Sequence, residues 1–377
     1  MATAAGAFVL LALLAGSLVY CILAVLAARK YLAVLPHPAP VSAPISILKP
    51  LSGLDLGLEE NLDSFFRQDY PAFEILFAVR HPEDPAVAVA QRLMREHPGI
   101  PAQLIITGEP PYPNAKVFSL DRMMQAARYD LLVMSDSDTR ATPDMLRVFA
   151  AEFQDDRLGI STCPYRAVPG PGIWSRLEAA GMNTEFLSGV LVARMLEGMK
   201  FALGPTMAGR RETLKQIGGF ERVKDYLAED FVIGKFADEK GWKVILSSYV
   251  IEHRIGDQPL RTNFAHRLRW ARSTRRSRPA GYIGQLFTNP LPLAILLLAL
   301  KPAWWPMALI AAILRALAAW AAAGWVLRDP LCLRNWWLIP AQDVLSFVFW
   351  IAGFFGNTIT WRGRRYRVLG DGRFVPV

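Results

Sequence analysis

Two aspartates one residue apart, Asp136 and Asp138, are the residues whose type and spacing best suit a chemical function. They follow Asp130–Met134, a short apolar run typical of a buried strand. Side chains just beyond the carboxyl end of such a strand line the crevice where open α/β sheets bind ligands. Magnesium is usually held by one or two carboxylates together with substrate phosphates. The pair therefore predicts a site for a metal-bridged diphosphate, although Asp and Ser are also ordinary turn residues.

A further aspartate, Asp84, stands directly before Pro85 and follows another strand-like run. In a nucleotide site its carboxylate would accept hydrogen bonds from a base or a ribose. The same two residues are also a common start signal for a helix, with Asp as the cap and Pro as the first helical residue. The sequence leaves both interpretations of Asp84 open.

A second acidic pair, Glu229 and Asp230, opens the amphipathic run Phe231–Lys235. A carboxylate at the start of a helix can serve simply as a cap. It can instead act as a general base that takes the proton from an acceptor hydroxyl at the edge of a pocket. The adjacency of two acids makes the catalytic role a plausible alternative to the cap.

A basic run before the last apolar region contains Arg269, Trp270 and Arg272. The two arginines are three residues apart and share one face of a predicted helix, and guanidinium groups match phosphate oxygens with parallel donors. The alternative is a basic helix beside a membrane with an interfacial Trp. His253, placed after a predicted strand over Val244–Ile251, is a secondary candidate to approach the metal or the phosphates.

These residues must be positioned by an α/β domain, because strand and helix signals alternate between residues 44 and 251. Such alternation predicts a largely parallel sheet covered by helices. The predicted strands are Pro44–Leu48, Phe73–Val79, Gln103–Thr107, Asp130–Met134, Leu158–Cys163, Phe201–Arg210 and Val244–Ser248. The predicted helices are Leu58–Arg67, Pro85–Glu96, Val117–Arg128 and a stretch from Trp174.

The composition of the 377 residues indicates a membrane protein, since 53% are apolar and the excess lies at the two ends. The net charge is +9, with Lys and Arg near the apolar segments. That pattern fits an anionic membrane surface and argues against a nucleic-acid partner, for which no motif is present. The three cysteines are far apart and form neither a disulfide framework nor a zinc spacing.

The first apolar segment, Ala5–Ala28, is long enough to cross a bilayer of about 30 Å as a helix, and Arg29 and Lys30 follow it. We expect a retained anchor that leaves the next domain in the cytoplasm. The second apolar region runs from Phe287 to Trp361, with Arg315 in its middle needing a partner or a route to the surface. Four full crossings would place the basic end of the chain outside, whereas treating Tyr282–Leu300 as interfacial or re-entrant leaves three crossings and places it inside. The positive-inside tendency favours three.

The predicted organisation therefore has four parts. Residues 1–30 form a transmembrane anchor, and residues 31–280 form a cytosolic domain that ends in the basic helix. Residues 281–361 form a C-terminal membrane region, and residues 362–377 form a basic tail.

In their order and context, the motifs Asp84, Asp136-Ser137-Asp138, Glu229-Asp230 and Arg269-Trp270 resemble those of processive-type and lipid-directed, family 2-like glycosyltransferases. The resemblance is closer to the ceramide glucosyltransferase family, and is carried also by Ile45–Leu51, Phe65–Pro71 and Ala228–Phe231. Within that family, His266–Arg272 and Asn289–Leu293 resemble the bacterial hopanoid-biosynthesis branch. One departure is His266, which stands where the wider family usually has Gln or Arg.

The resemblance implies a GT-A fold, that is, a nucleotide-sugar-binding, Rossmann-like mixed sheet flanked by transmembrane helices. It also implies an inverting mechanism, a UDP-sugar donor and a membrane lipid acceptor. In the hopanoid branch the sugar is N-acetylglucosamine and the acceptor is bacteriohopanetetrol. The chain would then be a multi-pass protein of the inner membrane.

The resemblance further implies a role for each motif residue. Asp84 and Asp136 would contact the uridine, and Asp138, together with Asp136, would bind Mg²⁺ or Mn²⁺. Asp230 would take the acceptor proton. The remaining substrate-binding candidates are Glu229, His266, Arg269, Trp270 and Arg272.

Three alternatives remain open from the sequence. The acceptor could be ceramide, which would make the product glucosylceramide. The product could be a polysaccharide, although a processive synthase would normally want more membrane spans. The chain could also be a membrane scaffold or a nucleotide-sugar sensor that keeps the fold without turnover.

Overall fold

The strands and helices are those of a computed structural model, which describes residues 2–34, 43–257, 259–361 and 364–377. In chain order, the strands are β1 (Ile45–Pro50), β2 (Phe73–Val79), β3 (Ala102–Ile106), β4 (Leu131–Ser135), β5 (Thr139–Arg140), β6 (Leu158–Thr162), β7 (Tyr165–Pro169), β8 (Thr206–Arg210), β9 (Lys243–Leu246), β10 (Ile251–Gly256), β11 (Thr358–Trp361), β12 (Arg364–Val368) and β13 (Phe374–Pro376).

The helices, in chain order, are α1 (Ala2–Leu32), α2 (Leu58–Phe66), α3 (Ala86–Glu96), α4 (Ala115–Ala126), α5 (Met145–Glu152), α6 (Ile173–Gly181), α7 (Leu187–Glu197), α8 (Arg211–Gln216), α9 (Glu229–Glu239), α10 (Leu260–Ser277), α11 (Pro279–Gly284), α12 (Pro290–Leu300), α13 (Trp305–Ala319), α14 (Pro330–Arg334) and α15 (Ile339–Gly353). Two π-helical segments continue this set: Met182–Phe186 joins α6 to α7, and Trp320–Val326 extends α13.

A mixed seven-stranded sheet forms the centre of the α/β domain, residues 43–257, with the strand order β3-β2-β1-β4-β8-β6-β9. The first half is parallel, as the alternating pattern predicts, while β8 runs antiparallel to both of its neighbours. The central strands are buried on both faces, which explains why their sequences are continuous apolar runs. The predicted mixed α/β fold is confirmed.

A second, three-stranded sheet of order β5-β10-β7 was not expected. The predicted strand over Val244–Ile251 ends at Leu246, where the chain turns. Ser247 Oγ and the Ser248 amide both donate to the Glu152 carboxylate, at 2.8 and 2.9 Å. The chain then begins β10, so His253 lies within a strand, paired with Thr139, and does not follow one. The turn depends on a carboxylate remote in sequence, which the local pattern does not reveal.

Among the residues that the structure describes, three helices are long and apolar enough to cross a membrane: Gly6–Leu32, Pro302–Val326 and Trp336–Gly353. The pair Pro279–Phe287 and Pro290–Leu300 passes the same test together but is bent by 54°. A bend of this size is found in a broken span or in a re-entrant loop, so the predicted interfacial or re-entrant segment stays a prediction. The second half of α1 shares its core with the α/β domain, and Tyr31 donates from its hydroxyl to the Ser247 backbone oxygen at 2.6 Å.

Helix α15 lies along α10 and does not lead away from the α/β domain. Before it, Asn183 donates to the Asp329 carboxylate at 2.8 Å. Along its length, the Phe349 ring packs against Phe264 with ring centroids 4.7 Å apart. After it, the chain returns to the α/β domain through β11–β13. The three predicted crossings, with Tyr282–Leu300 interfacial or re-entrant, would be made by α1, α13 and α15, and their number remains a prediction.

Arg315 was predicted to need a partner within the apolar region, and that partner is Asp343. Its guanidinium donates to both carboxylate oxygens of Asp343 at 2.8 Å, and to Thr184 Oγ1 at 3.1 Å. Arg315 is 2% exposed and Asp343 is 0% exposed, so the pair is withdrawn from solvent. It ties α13 to α15 and to the π-helical segment after α6.

Breaking this ion pair is expected to destabilise the membrane region. Asp343→Ala leaves a buried guanidinium without its counter-charge, which costs about 3–5 kcal/mol of unfolding free energy. The double variant Arg315→Leu/Asp343→Leu removes both charges and is expected to recover most of the loss. Denaturant or thermal unfolding in detergent would measure this. A double variant no more stable than Asp343→Ala would contradict the charge-pair account.

Candidate active site

The turn after β4 carries Asp136 and Asp138 and is supported by a buried lysine. Lys49, near the end of β1, donates from Nζ to the Asp136 backbone oxygen at 2.5 Å and to Thr139 Oγ1 at 3.1 Å. Its side chain is 0% exposed, and burial lowers its pKa to about 7. Since β1 and β4 are neighbours in the sheet, the end of one strand holds the turn that follows the other.

Asp138 pairs with His253 through one carboxylate oxygen. Its Oδ2 lies 3.1 Å from His253 Nε2. Burial by itself would raise the pKa of Asp138 and lower that of His253, but their mutual attraction more than offsets this. The pKa of Asp138 is therefore below its usual value and that of His253 above it. The other oxygen, Oδ1, is buried without a hydrogen-bond partner in the described part of the chain.

The unpartnered Oδ1 of Asp138 is suited to bind a divalent cation that substrate phosphates also coordinate. Within the described residues, no group of three or more His, Cys, Asp and Glu side chains forms a self-contained metal site. A cation held by one or two carboxylates and completed by substrate phosphates is the common arrangement for Mg²⁺. Asp136, the other ligand candidate, uses its Oδ1 for an ion pair with Lys116 at 2.7 Å. The donor set is therefore compatible with a divalent cation that arrives with a diphosphate.

Lys116 joins the two acidic motifs in one cleft. Its Nζ lies 2.7 Å from Asp136 Oδ1 and 3.1 Å from Glu229 Oε1. Although burial opposes the charge, the two carboxylates raise the pKa of Lys116 above its usual value, so the ammonium form is favoured. Asn114, the cap of α4, also donates to Glu229 Oε2 at 3.5 Å.

Sequence reasoning missed Lys116, although one signal was present. A lysine in the first turn of a helix opposes the helix dipole, which favours negative charge there. Such local conflicts tend to mark functional positions. Lys49 was missed for a different reason, because its burial follows from the strand order, which the local sequence does not specify.

Asp230 stands beside Glu229 at the start of α9 and faces the loop before β8. A Cβ added at Gly204 would lie 2.9 Å from Asp230 Oδ2, so a larger residue there would displace this carboxylate. Burial and the neighbouring Glu229 charge raise the pKa of Asp230 to about 7. A carboxylate with a pKa near neutrality is suited to accept and release a proton.

Asp84 has the structural role that its sequence context suggested. Its Oδ1 accepts from the Ala86 amide at 2.9 Å at the start of α3. Both of its carboxylate oxygens also accept from the Gly53 amide, at 3.0 and 3.1 Å. Asp84 therefore fixes the loop after β1 next to the start of α3, and a nucleoside contact remains a prediction.

Helix α10 carries the basic motif, but its residues divide into two groups. His266 Nδ1 lies 2.9 Å from Glu178 Oε1, and its ring centroid is 4.7 Å from that of Trp270. Trp270 packs against the main core, and Arg269 is half-buried on the same helix. Arg272 is not brought to the acidic cleft: it donates to the Phe355 and Thr358 backbone oxygens.

The Arg272 guanidinium is engaged by backbone oxygens, and its predicted contact with the substrate stays a prediction. Its donors are engaged by backbone oxygens after α15, at 3.1 Å for Phe355 and 2.5 Å for Thr358. Carbonyl groups after the end of a helix attract cations. The three-residue spacing from Arg269 places both arginines on one helix, but it did not predict these backbone partners of Arg272.

Comparison with protein-family models matches residues 9–374 to Glycosyl transferase family 21. Among curated proteins, ceramide glucosyltransferase 1 of Caenorhabditis elegans is 31% identical over 215 residues, which is 56% of this chain and 46% of that protein. A ceramide glucosyltransferase of Komagataella phaffii is 38% identical over 109 residues, covering 28% of this chain and 21% of that protein. The chain thus spans about half or less of the length of these relatives.

Among solved structures, a mannosyltransferase from Pyrobaculum calidifontis in complex with GDP-Man and Mn²⁺ superposes with a TM-score of 0.55. The superposition covers 92% of this chain and 98% of the other, at 20% sequence identity. This likeness concerns the fold, and it agrees with the GT-A architecture expected from the motifs.

Proposed function

This chain belongs to Glycosyl transferase family 21, and we propose that it moves a sugar from a nucleotide diphosphate to the hydroxyl group of a membrane lipid. The observation that carries the proposal is Lys116, which bridges Asp136 and Glu229. The bridge supports the proposal because it holds the donor-side carboxylate Asp136 next to Glu229, and Glu229 immediately precedes the predicted base, Asp230. The apolar helices beside the α/β domain would bring the lipid to that cleft.

For the substrates, we propose UDP-N-acetylglucosamine as donor and bacteriohopanetetrol as acceptor. The support is the resemblance of His266–Arg272 and Asn289–Leu293 to the hopanoid-biosynthesis branch. The second candidate is ceramide glucosylation, which is favoured by the names of the curated relatives. Helix α15 lying along α10 leaves few helices to line a channel for an extruded polysaccharide.

The proposed reaction is a single displacement with inversion at the anomeric carbon. The acceptor oxygen attacks that carbon from the face opposite the diphosphate, and the bond to the leaving phosphate oxygen breaks. Asp230 takes the proton of the acceptor hydroxyl, which makes the oxygen a better nucleophile. Glu229 holds Lys116 beside this carboxylate, and Lys116 in turn holds Asp136.

The donor side of the cleft is proposed to stabilise the leaving diphosphate. Asp138 would hold a divalent cation through its free Oδ1, with His253 orienting the carboxylate. When bound, Mg²⁺ or Mn²⁺ supplies positive charge that offsets the charge developing on the leaving group. Asp84 and Asp136 would contact the uridine, while His266, Arg269 and Trp270 would close over the diphosphate.

We place the protein in the inner membrane with the α/β domain facing the cytoplasm. Arg29 and Lys30 lie in the last turn of α1, at the end that packs on this domain. Clusters of Lys and Arg beside a span are retained on the cytoplasmic side. The nucleotide-sugar donor is also a soluble compound that the cytoplasm would supply.

The proposal is tested with the purified chain in lipid nanodiscs. UDP-N-acetylglucosamine, UDP-glucose and GDP-mannose are each combined with bacteriohopanetetrol and with ceramide, and products are identified by mass. We expect a hexosaminylated hopanoid, dependent on Mg²⁺ or Mn²⁺. Glucosylceramide would support the second candidate, and a polymer would support a synthase. No nucleotide release with any pair, or with a total lipid extract, would favour a scaffold or sensor.

The pH at which kcat rises is expected to become lower when Glu229 is replaced by Gln. Asp230 must be deprotonated to act as base, so kcat should rise with pH up to about 7 and then level off. The Glu229 charge is one of the causes of this raised pKa. Without it the pKa of Asp230 falls, and the rising part of the profile shifts to lower pH.

Glu239→Gln is the matched control, because it makes the same change at the exposed end of α9. The profile of kcat at saturating donor and acceptor is measured for all three proteins. If kcat of Glu229→Gln rises over the same pH range as that of the wild type, the assigned role of the Glu229 charge is contradicted.

A further inference from the structure

The end of the chain is a folded element and not a free tail. Strands β11, β12 and β13 form an antiparallel sheet, called here the C-terminal sheet. Phe374 is 1% exposed and packs with Ile359, Tyr366 and Val368. Of the predicted basic tail, Arg362 and Gly363 lie outside the described residues. The alternation of apolar and basic residues in β12 thus reflects a strand with one buried face.

The C-terminal sheet is attached to the segment Asp225–Asp230, called here the base segment. The Phe374 amide donates to the Asp225 backbone oxygen at 2.8 Å. The neighbouring residues Tyr226 and Arg373 form an antiparallel bridge. Leu227 packs against the core of the sheet. The start of β13 is therefore hydrogen-bonded to the segment that ends at the predicted base.

The other side of the C-terminal sheet is attached to α10, which carries Arg269 and Trp270. Arg272 donates to the Thr358 backbone oxygen at the start of β11. Arg275 donates to the Gly356 backbone oxygen at 2.9 Å and to Asn357 Oδ1 at 2.7 Å. These bonds fix the entrance to the sheet against the last turns of α10.

The base segment lacks a side-chain cap at the point where α9 begins. Helix α9 begins after Ala228, which provides no side-chain cap for the free amides of the first turn. The Tyr226 backbone oxygen accepts from Asn114 Nδ2 at 2.9 Å. The Tyr226 amide also donates to the Val223 backbone oxygen at 3.1 Å, and its ring packs edge-on against Phe236 of α9. The C-terminal sheet adds the contacts with Asp225, Tyr226 and Leu227 described above. The position of the start of α9 thus depends on elements remote in sequence.

We infer that the C-terminal sheet is a brace that positions Asp230 relative to α10, with Phe374 as its central positioning residue. The inference rests on the proposed function, in which Asp230 takes the acceptor proton and α10 closes on the donor diphosphate. The described hydrogen bonds of the sheet go to Asp225 and to the last turns of α10, and not to Asp230 itself. Its role is therefore to hold α9 and α10 at a set separation. Proton transfer needs hydrogen-bond distance between Asp230 and the hydroxyl, which a displaced α9 would lose.

Phe374→Ala is therefore expected to lower turnover without removing donor binding. Small displacements of reacting groups, of about 1 Å, can cost on the order of 100-fold in rate. We expect kcat to fall about tenfold or more, with the dissociation constant for UDP-N-acetylglucosamine within about twofold of wild type. Phe374→Leu, which keeps most of the buried volume, should restore much of kcat.

The experiment compares wild type, Phe374→Ala and Phe374→Leu with the control Val375→Ala. Val375 belongs to the same strand but is 39% exposed, so its truncation should change nothing. Hydrogen–deuterium exchange of the full chain in detergent is measured for peptides covering the base segment and for β4. We expect faster exchange in the base segment of Phe374→Ala, with β4 unchanged.

The outcomes separate this inference from the proposed function. Unchanged exchange in the base segment of Phe374→Ala would overturn the brace, as would wild-type kcat in that variant. Loss of protection in β4 as well would mean general unfolding and would also overturn it. Absence of turnover by the wild-type chain would reject the proposed function instead, and the exchange measurement would still decide whether the sheet orders the base segment.

Discussion

Replacing Asp230 with Asn is expected to lower kcat by about 10²- to 10⁴-fold, the usual contribution of a positioned general base. The amide has nearly the same shape as the carboxylate but cannot accept the proton of the acceptor hydroxyl. Because Asp230 lies next to Glu229 and not in the turn after β4, donor affinity should be retained. Sugar transfer to the lipid and calorimetric binding of the donor are measured on the same protein.

The control for this variant is Asp238→Asn, on the same helix but exposed to solvent. It makes an identical chemical change and should leave both kcat and donor affinity at wild-type values. Full activity in Asp230→Asn would remove this residue from the mechanism. Equal losses of kcat and donor affinity would instead assign it to donor binding.

Replacing Asp138 with Asn is expected to abolish metal-dependent donor binding and to lower kcat/KM by about 100-fold or more. Loss of a partner that orients a metal ligand already costs about 10- to 100-fold, and a direct ligand should cost at least as much. The free Oδ1 of Asp138 is the atom on which this expectation rests. Donor binding is titrated with Mg²⁺, with Mn²⁺ and with a chelator.

Asp130→Asn is the matched control for Asp138, since Asp130 precedes the same strand and its side chain is 91% exposed. It should bind donor as the wild type does. Donor binding by Asp138→Asn that still responds to the metal would place the cation elsewhere. A chelator without effect on the wild-type chain would argue against a metal at this site.

Local patterns were sufficient for the elements that carry the acidic motifs. The strand Phe73–Val79 was predicted with the bounds that it has, because its apolar run lies between turn residues. The strand before Asp136 and the helix that begins at Glu229 were also recognised. Each of these signals arises from residues close together in sequence, where strand and helix periodicities operate.

Partners remote in sequence could not be recognised in this way. Lys116 meets Glu229 because the start of α4 and the start of α9 lie on the same side of the sheet. Arg272 was predicted to bind substrate, and the sequence did not reveal that its guanidinium donates to backbone oxygens after α15. A charged side chain can pair with any opposite charge within reach, and which one lies within reach depends on the packing of whole elements.

By itself, the sequence determined the α/β fold class, the long apolar helices at both ends and the acidic motifs at Asp136 and Asp138. These follow from local periodicity and from residue chemistry. The tertiary structure alone decided that Lys116 bridges the two motifs, that one oxygen of Asp138 is left free, and that the C-terminal sheet holds the base segment. Each of these depends on the order of strands and on the burial of charges, which are set by long-range packing and not by neighbours in the chain.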